Sequence, residues 1–236
     1  ISFSFLFCLL NQCYNMILFK NVSLQYEPDA GIHDINFQIN PNEFAFLIGS
    51  TGSGKSTILK LIYMELIPDS GTVEIFKYSS KKIKRRKIPF LRRKVGMIFQ
   101  DYRLLKDRNI FENIALPLHV IGYGRQEVYE RVQNVIIEVG LEGKEKRKPN
   151  ELSGGEQQKA CIARALVKEP EIILADEPSA NLDPDSARNL LELLKNIHSR
   201  GTLVLMATHQ WQHFYFDLIK DRDHRIFNIE NGRLVD

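Results

Sequence analysis

The run FAFLIGSTGSGKSTILKLIYMELI, residues 44–67, decides the fold. Phe44 to Ile48 is continuously apolar, as in a strand buried on both faces, and that pattern stops at Gly49. Thr57–Ile67 then reads as a helix. Between them GSTGSGKST, 49–57, sets Gly49, Gly54, Lys55 and Ser56 at the spacing G-x-x-x-x-G-K-[ST]. At that spacing the glycines let backbone N–H groups curl around phosphate oxygens, and the N-terminus of the next helix favours negative charge. Lys55 reaches the β and γ phosphates, and the Ser56 hydroxyl ligates magnesium. Gly49, Ser50, Thr51, Gly52, Ser53, Gly54, Lys55, Ser56 and Thr57 are therefore candidate contacts to ATP. A glycine-rich turn with no ligand is the alternative, and the strand–loop–helix setting argues against it.

Upstream, ILFKNVSLQYEP alternates apolar and polar residues, and Ile35, Phe37 and Ile39 repeat the alternation before the turn Asn40-Pro41-Asn42. These predict antiparallel strands. Downstream, Val95–Phe99, Ile172–Ala175 and Thr202–Ala207 read as further core strands. A helix over 126–139 places Val128, Val132, Val135 or Ile136, and Val139 on one face before Gly140. Pro184–Ser199 reads as a helix capped by Asp183. Strand and helix alternation implies a mostly parallel sheet. The mainly helical stretch of about 101–160 interrupts it as an inserted subdomain.

IILADE, 172–177, places Asp176 and Glu177 at the carboxyl end of a core strand, where open α/β sheets bind ligands. Asp176 can hold magnesium, and Glu177 is left to polarise an attacking water. Taken alone, two acids after a strand read as a surface turn; the phosphate loop changes the balance. LSGGEQQ, 152–158, is a second glycine-bearing turn ahead of a helix, where the Ser153 hydroxyl and the Gly155 amide can meet phosphate.

LSGGE, the phosphate loop, IILADE, Gln100 after a core strand, the NLD of 181–183 and His209 after the last core strand occur in an order that resembles the ABC-type ATPases. The resemblance covers 16–236. It implies one P-loop NTPase domain: a RecA-like, mostly parallel core sheet, an N-terminal antiparallel β subdomain and the inserted helical subdomain. It also implies a head-to-tail homodimer, each ATP lying between the phosphate loop of one copy and Ser153, Gly154, Gly155 and Glu156 of the other. Within that pattern Tyr26 stacks on adenine, Gln100 touches magnesium and the attacking water, and His209 contacts the γ-phosphate. Ser56, Gln100 and Asp176 are then the metal set, and Glu177, His209, Gln100 and Lys55 the catalytic set. Two positions depart from the pattern: Gln210 follows His209 where an acid is usual, and Ser179 stands where Thr is frequent.

PFLRRKVGMIFQDYRLLKDRNIFENIALPLHVIG, 89–122, is similar to the FtsE family of bacterial cell-division ATPases. That similarity implies a cytoplasmic protein, peripheral on the inner face of the plasma membrane. It also implies a membrane partner of the FtsX type, controlling peptidoglycan hydrolases. Tyr102, Leu104, Leu105 and Phe111 would line the groove for that partner; packing inside the helical insert is the other reading. The nearest alternative is the ATPase of a lipoprotein-release or macrolide-efflux transporter. A soluble clamp on DNA or ribosomes is disfavoured, because the residues between Gln100 and Ser153 leave no room for a long coiled coil.

Composition agrees with a globular domain: 44% hydrophobic, 26% charged and 10% aromatic. A net charge of +3 is too small to argue for nucleic acid. The charge is uneven, however: Lys77–Lys94 holds ten Lys or Arg and no acid. It reads as a solvated face, or as a contact for lipid headgroups, phosphates or an acidic partner. Cys8, Cys13 and Cys161 have no spacing for a zinc site or a disulfide framework. Residues 1–15 are apolar at the start but too short to span a membrane and lack a basic leader. Because Met16 opens the first strand pattern, they are expected to be upstream sequence, and any membrane role is expected to need a partner.

Overall fold

A computed structural model describes residues 16–27, 30–180, 182–209 and 224–235. The expectation for residues 1–15 lies outside them. The N-terminal alternation becomes β1 (Ile17–Glu27) and β2 (Ala30–Ile39), paired antiparallel, with Phe19 stacked on Phe37 at 4.5 Å. With β4 (Ser70–Ile75) and β5 (Tyr78–Ser79) they form an antiparallel sheet of order β2-β1-β4-β5.

The second sheet has the order β10-β9-β3-β8-β7-β6. Its parallel members are β3 (Phe44–Ile48), β6 (Val95–Ile98), β7 (Ile172–Asp176), β8 (Leu203–Thr208) and β9 (His224–Glu230); β10 (Arg233–Val235) closes the edge antiparallel. The continuous apolar runs have a direct cause. Phe44 and Phe46 face a core shared with the helical side of the molecule, while Ala45 and Leu47 face a core shared with the antiparallel sheet. The same division holds in β7 and β8, so successive residues are apolar because both faces are covered.

Helix α1 (Lys55–Ile62) starts two residues earlier than the sequence suggests and stops at Tyr63, after which Met64 takes a φ of 52° and reverses the chain. Helix α2 (Ile88–Arg93) precedes β6. The insert holds α3 (Ile110–Ile121), α4 (Arg125–Val139) and α5 (Gly154–Leu166), the last running beyond the expected boundary at 160. Gly140 ends α4 with a φ of 66°, as its position predicted. Asp183 caps α6 (Pro184–His198) by accepting from the N–H groups of Asp185 and Ser186.

Candidate functional site

Strand β3 delivers the chain to Gly49, and the loop turns through Gly52 (φ 83°) and Gly54 (φ 109°) into α1. Only glycine enters these left-handed regions at little cost. Ser50, Thr51 and Gly52 are exposed at the loop mouth, whereas Ser53, Lys55 and Thr57 are buried. The Lys55 ammonium is folded back into the loop, donating to the carbonyls of Gly49 at 2.8 Å and Ser50 at 2.9 Å. The buried Ser53 hydroxyl has no hydrogen-bond partner among the described residues.

Gly49 is fixed by a different constraint. A Cβ there would lie 2.2 Å from the Ile229 carbonyl oxygen and 2.6 Å from Ser53 Oγ. Gly49→Ala is therefore expected to push the loop off β9 at a cost of about 1–3 kcal/mol, typical of overpacking. Thermal unfolding checks this: a melting temperature equal to that of the parent would show that the loop does not pack there.

At the carboxyl ends of β7 and β8 the remaining groups meet the loop. Ser56 Oγ donates to Asp176 Oδ1 at 2.9 Å across 120 residues of sequence. Glu177 is buried and takes a φ of 45°, with its N–H bonded to the Ala207 carbonyl at 3.0 Å. Its carboxylate sits between two partners: Lys55 Nζ at 3.5 Å and His209 Nδ1 at 2.9 Å. The His209 backbone N–H adds a third contact at 3.3 Å. Burial pushes the Asp176 carboxyl above its ordinary range, and the Ser56 hydrogen bond partly offsets this.

The site-side oxygens of Ser56 and Asp176 form a small hard-oxygen set suited to magnesium, which keeps several waters and takes only one or two protein ligands.

The other expected residues are placed separately. Tyr26 is 54% exposed and its hydroxyl lies 3.3 Å from Thr57 Oγ1, so its ring borders the loop. Gln100 is exposed in the turn after β6. Ser153 caps α5: its Oγ accepts from the Glu156 N–H at 3.3 Å, and the Glu156 carboxylate accepts from the Ser153 N–H at 2.9 Å. Lys144 pairs with Glu156 at 3.2 Å. Among the described residues, no hydrogen bond or ion pair joins 153–156 to 49–57, so within one chain the two glycine turns are separate. Asn181 and Gln210 lie outside the described residues; Ser179 is buried.

One contact had no signal in the sequence. Arg164 on α5 donates to the carbonyls of Arg103 at 2.5 Å and Tyr102 at 2.6 Å, and both of those residues take left-handed φ values of 50° and 56°. The helix that begins at Ser153 thus holds the segment that follows Gln100. Of the expected partner-groove residues, Leu104 and Phe111 pack partly against the helical core, and Leu105 is 37% exposed.

Residues 32–180 match the model of the ABC transporter family. The chain is 44% identical over 222 residues to the cell division ATP-binding protein FtsE of Mycobacterium tuberculosis, covering 93% of this chain and 94% of that one. Identity to the FtsE of Escherichia coli K12 is 41% over 220 residues, covering 93% and 97%. Among solved structures, a dimeric bacterial ABC transporter cassette superposes with a TM-score of 0.83 at 32% identity, covering 94% of this chain and 97% of that one. An ATP-binding cassette dimer in a post-hydrolysis state, bound to ADP and Pi, gives 0.82 at 31% identity, with the same coverage.

Proposed function

The chain belongs to the ABC transporter family of ATPases, and on that premise we propose that it is the ATP-hydrolysing subunit of an FtsEX-type cell-division complex. The observation that carries the chemistry is the Glu177 carboxylate, buried at a strand end between Lys55 and His209 and next to the Ser56–Asp176 pair. Similarity to FtsE over nearly the full length carries the biological assignment.

In this reading ATP lies along the loop, its phosphates on the N–H groups of 49–57 and its adenine on Tyr26. Lys55 leaves Glu177 for the β and γ phosphates, where an ammonium is worth most because water is excluded. Ser56, Asp176 and Gln100 would hold Mg²⁺, which supplies neutralisation of the developing phosphate charge. Glu177 then orients and deprotonates the attacking water, and His209 donates to the γ-phosphate. Ser153, Gly154, Gly155 and Glu156 come from a second copy, head to tail, which accounts for their separation from the loop within one chain. The dimeric neighbours support that assembly.

The partner is an FtsX-like membrane protein reached from the cytoplasmic side, and Tyr102, Leu104, Leu105 and Phe111 receive it. Because Leu105 is the more exposed, Leu105→Glu is expected to reduce co-purification with the partner several-fold while ATPase activity stays near parent. Leu104→Glu and Phe111→Glu should also lower the melting temperature, since both side chains pack on the helical core. Affinity purification from bacterial membranes is the measurement. Undiminished capture by all three variants would confine these residues to the helical subdomain, and recovery of ribosomes or DNA instead would reject the division assignment.

A further inference from the structure

The basic stretch has no part in the site above. After β5 it runs through a 3-10 turn (Arg85–Lys87) into α2, where Leu91 is the buried residue. Some of its cations are used internally. Arg92 donates to the carbonyls of Tyr63 at 3.1 Å and Met64 at 3.2 Å, and Lys94 pairs with Glu171 at 2.5 Å. Lys81, Lys82, Lys84, Arg85, Arg86 and Lys87 are exposed, and among the described residues no carboxylate lies within ion-pair distance of any of them.

Apolar side chains stand among these charges. Phe90 is 46% exposed, with the Lys87 ammonium 5.2 Å and the Arg93 guanidinium 4.7 Å from its ring centre. On one side Ile67, 50% exposed, shares a groove with Arg85 and Pro89; on the other Val120, 76% exposed, shares a groove with Pro89 and Arg93. The two grooves meet along α2, where both are lined by Pro89 and Arg92, so the apolar tips and the cations form one face, with the Glu65 carboxylate at the edge of the Ile67 groove and outside ion-pair distance of Arg85. We propose that this face, Lys81–Arg93 flanked by Ile67 and Val120, binds anionic lipid headgroups directly, so that the chain meets the membrane surface without a partner protein.

Charge and shape together favour lipid over an acidic protein. Of the six exposed cations from Lys81 to Lys87, only Arg85 lines either groove, so neither groove gathers them around a single carboxylate. The apolar groups are separate tips, which suits a deformable surface where each tip enters the headgroup boundary while the cations meet phosphate. This inference is independent of the division assignment, since it uses neither the nucleotide site nor the partner groove residues.

The test is co-sedimentation of the full chain with vesicles of phosphatidylcholine alone or with about 30% phosphatidylglycerol, a content that gives a cytoplasm-like surface potential. Binding to the anionic vesicles should be at least about tenfold greater and should vanish near ~0.5 M NaCl, where surface charges are screened within a few ångströms. The combined variant K84Q/R85Q/R86Q/K87Q should lose it while hydrolysing ATP at the parent rate, which also shows that it is folded. Phe90→Ser should weaken it several-fold. Equal binding to both vesicle types, full binding by the fourfold variant, or release by about 10 mM inorganic phosphate, too dilute to act by screening, would each overturn the proposal. So would equally tight binding to polyglutamate that ignores Phe90→Ser, which would assign the face to an acidic partner.

Discussion

Glu177→Gln is expected to slow ATP turnover by on the order of 10²- to 10⁴-fold, the usual contribution of a positioned general base. The substitution keeps the volume of a side chain that fills a buried niche and can still accept a hydrogen bond from His209. It removes the one property the proposed step requires, an oxygen able to take a proton from water. Binding should not suffer. The Glu177 charge lies 3.5 Å from Lys55 and competes with phosphate for it, so the neutral amide should leave ATP affinity unchanged or higher. Slow hydrolysis with intact binding should accumulate a closed dimer, visible as an ATP-dependent shift to twice the mass in size-exclusion chromatography. Phosphate release at the parent rate would remove Glu177 from the chemistry.

Lys55→Met should act on the other side of that pair. Methionine occupies nearly the same buried channel, so the loop keeps its packing while losing the charge. Charge-assisted hydrogen bonds contribute about 1.5–3 kcal/mol each, so ATP affinity should fall by on the order of 10- to 150-fold. Turnover should fall with it, because no cation replaces the ammonium at the γ-phosphate. The loss should be much smaller for adenosine, which lacks phosphates, and that contrast separates a phosphate contact from a misfolded loop. Calorimetric titration with ATP, ADP and adenosine measures it. Equal affinity of parent and variant for ATP would mean that Lys55 remains on the Gly49 and Ser50 carbonyls when nucleotide is bound.

What could be read in advance, and what could not, divides along physical lines. Strands β3, β7 and β8 were legible because burial on both faces writes an uninterrupted apolar run. The loop was legible because Gly52 and Gly54 are required by local backbone geometry and Lys55 stands at a fixed spacing from Gly49. Helix α1 was misjudged at both ends. Its start depends on Gly54 acting as a left-handed cap, and its stop on the positive φ of Met64, a residue type that gives no warning of such a turn. Strand β9 was missed because its sequence, HRIFNIE, has charged residues at its edges that blur the periodicity. The left-handed backbone of Glu177 and the hold of Arg164 on residues 102 and 103 leave no local trace, since each is decided by neighbours distant in sequence. In the same way the helix start at LSGGE was legible from its glycines, while its separation from residues 49–57 is a matter of three-dimensional placement.

Reading across β3, β8, β7 and β6, the strand ends present Gly49, His209, the Asp176–Glu177 pair and Gln100 side by side. Neighbouring strands are paired residue by residue, Ile48 with Thr208, Asp176 with Ala207 and Ile98 with Ala175. The lateral pitch between strands is about 4.8 Å and the axial step about 3.3 Å. The sheet is therefore a ruler with a fixed scale, and the groups proposed to act on ATP are its graduations. Surface loops can lengthen or change composition without altering those marks. A single-residue deletion inside β7 or β8 would slide one mark by a full division and turn its side chains to the opposite face, so tolerance to insertion and deletion should fall sharply at the boundaries of these strands.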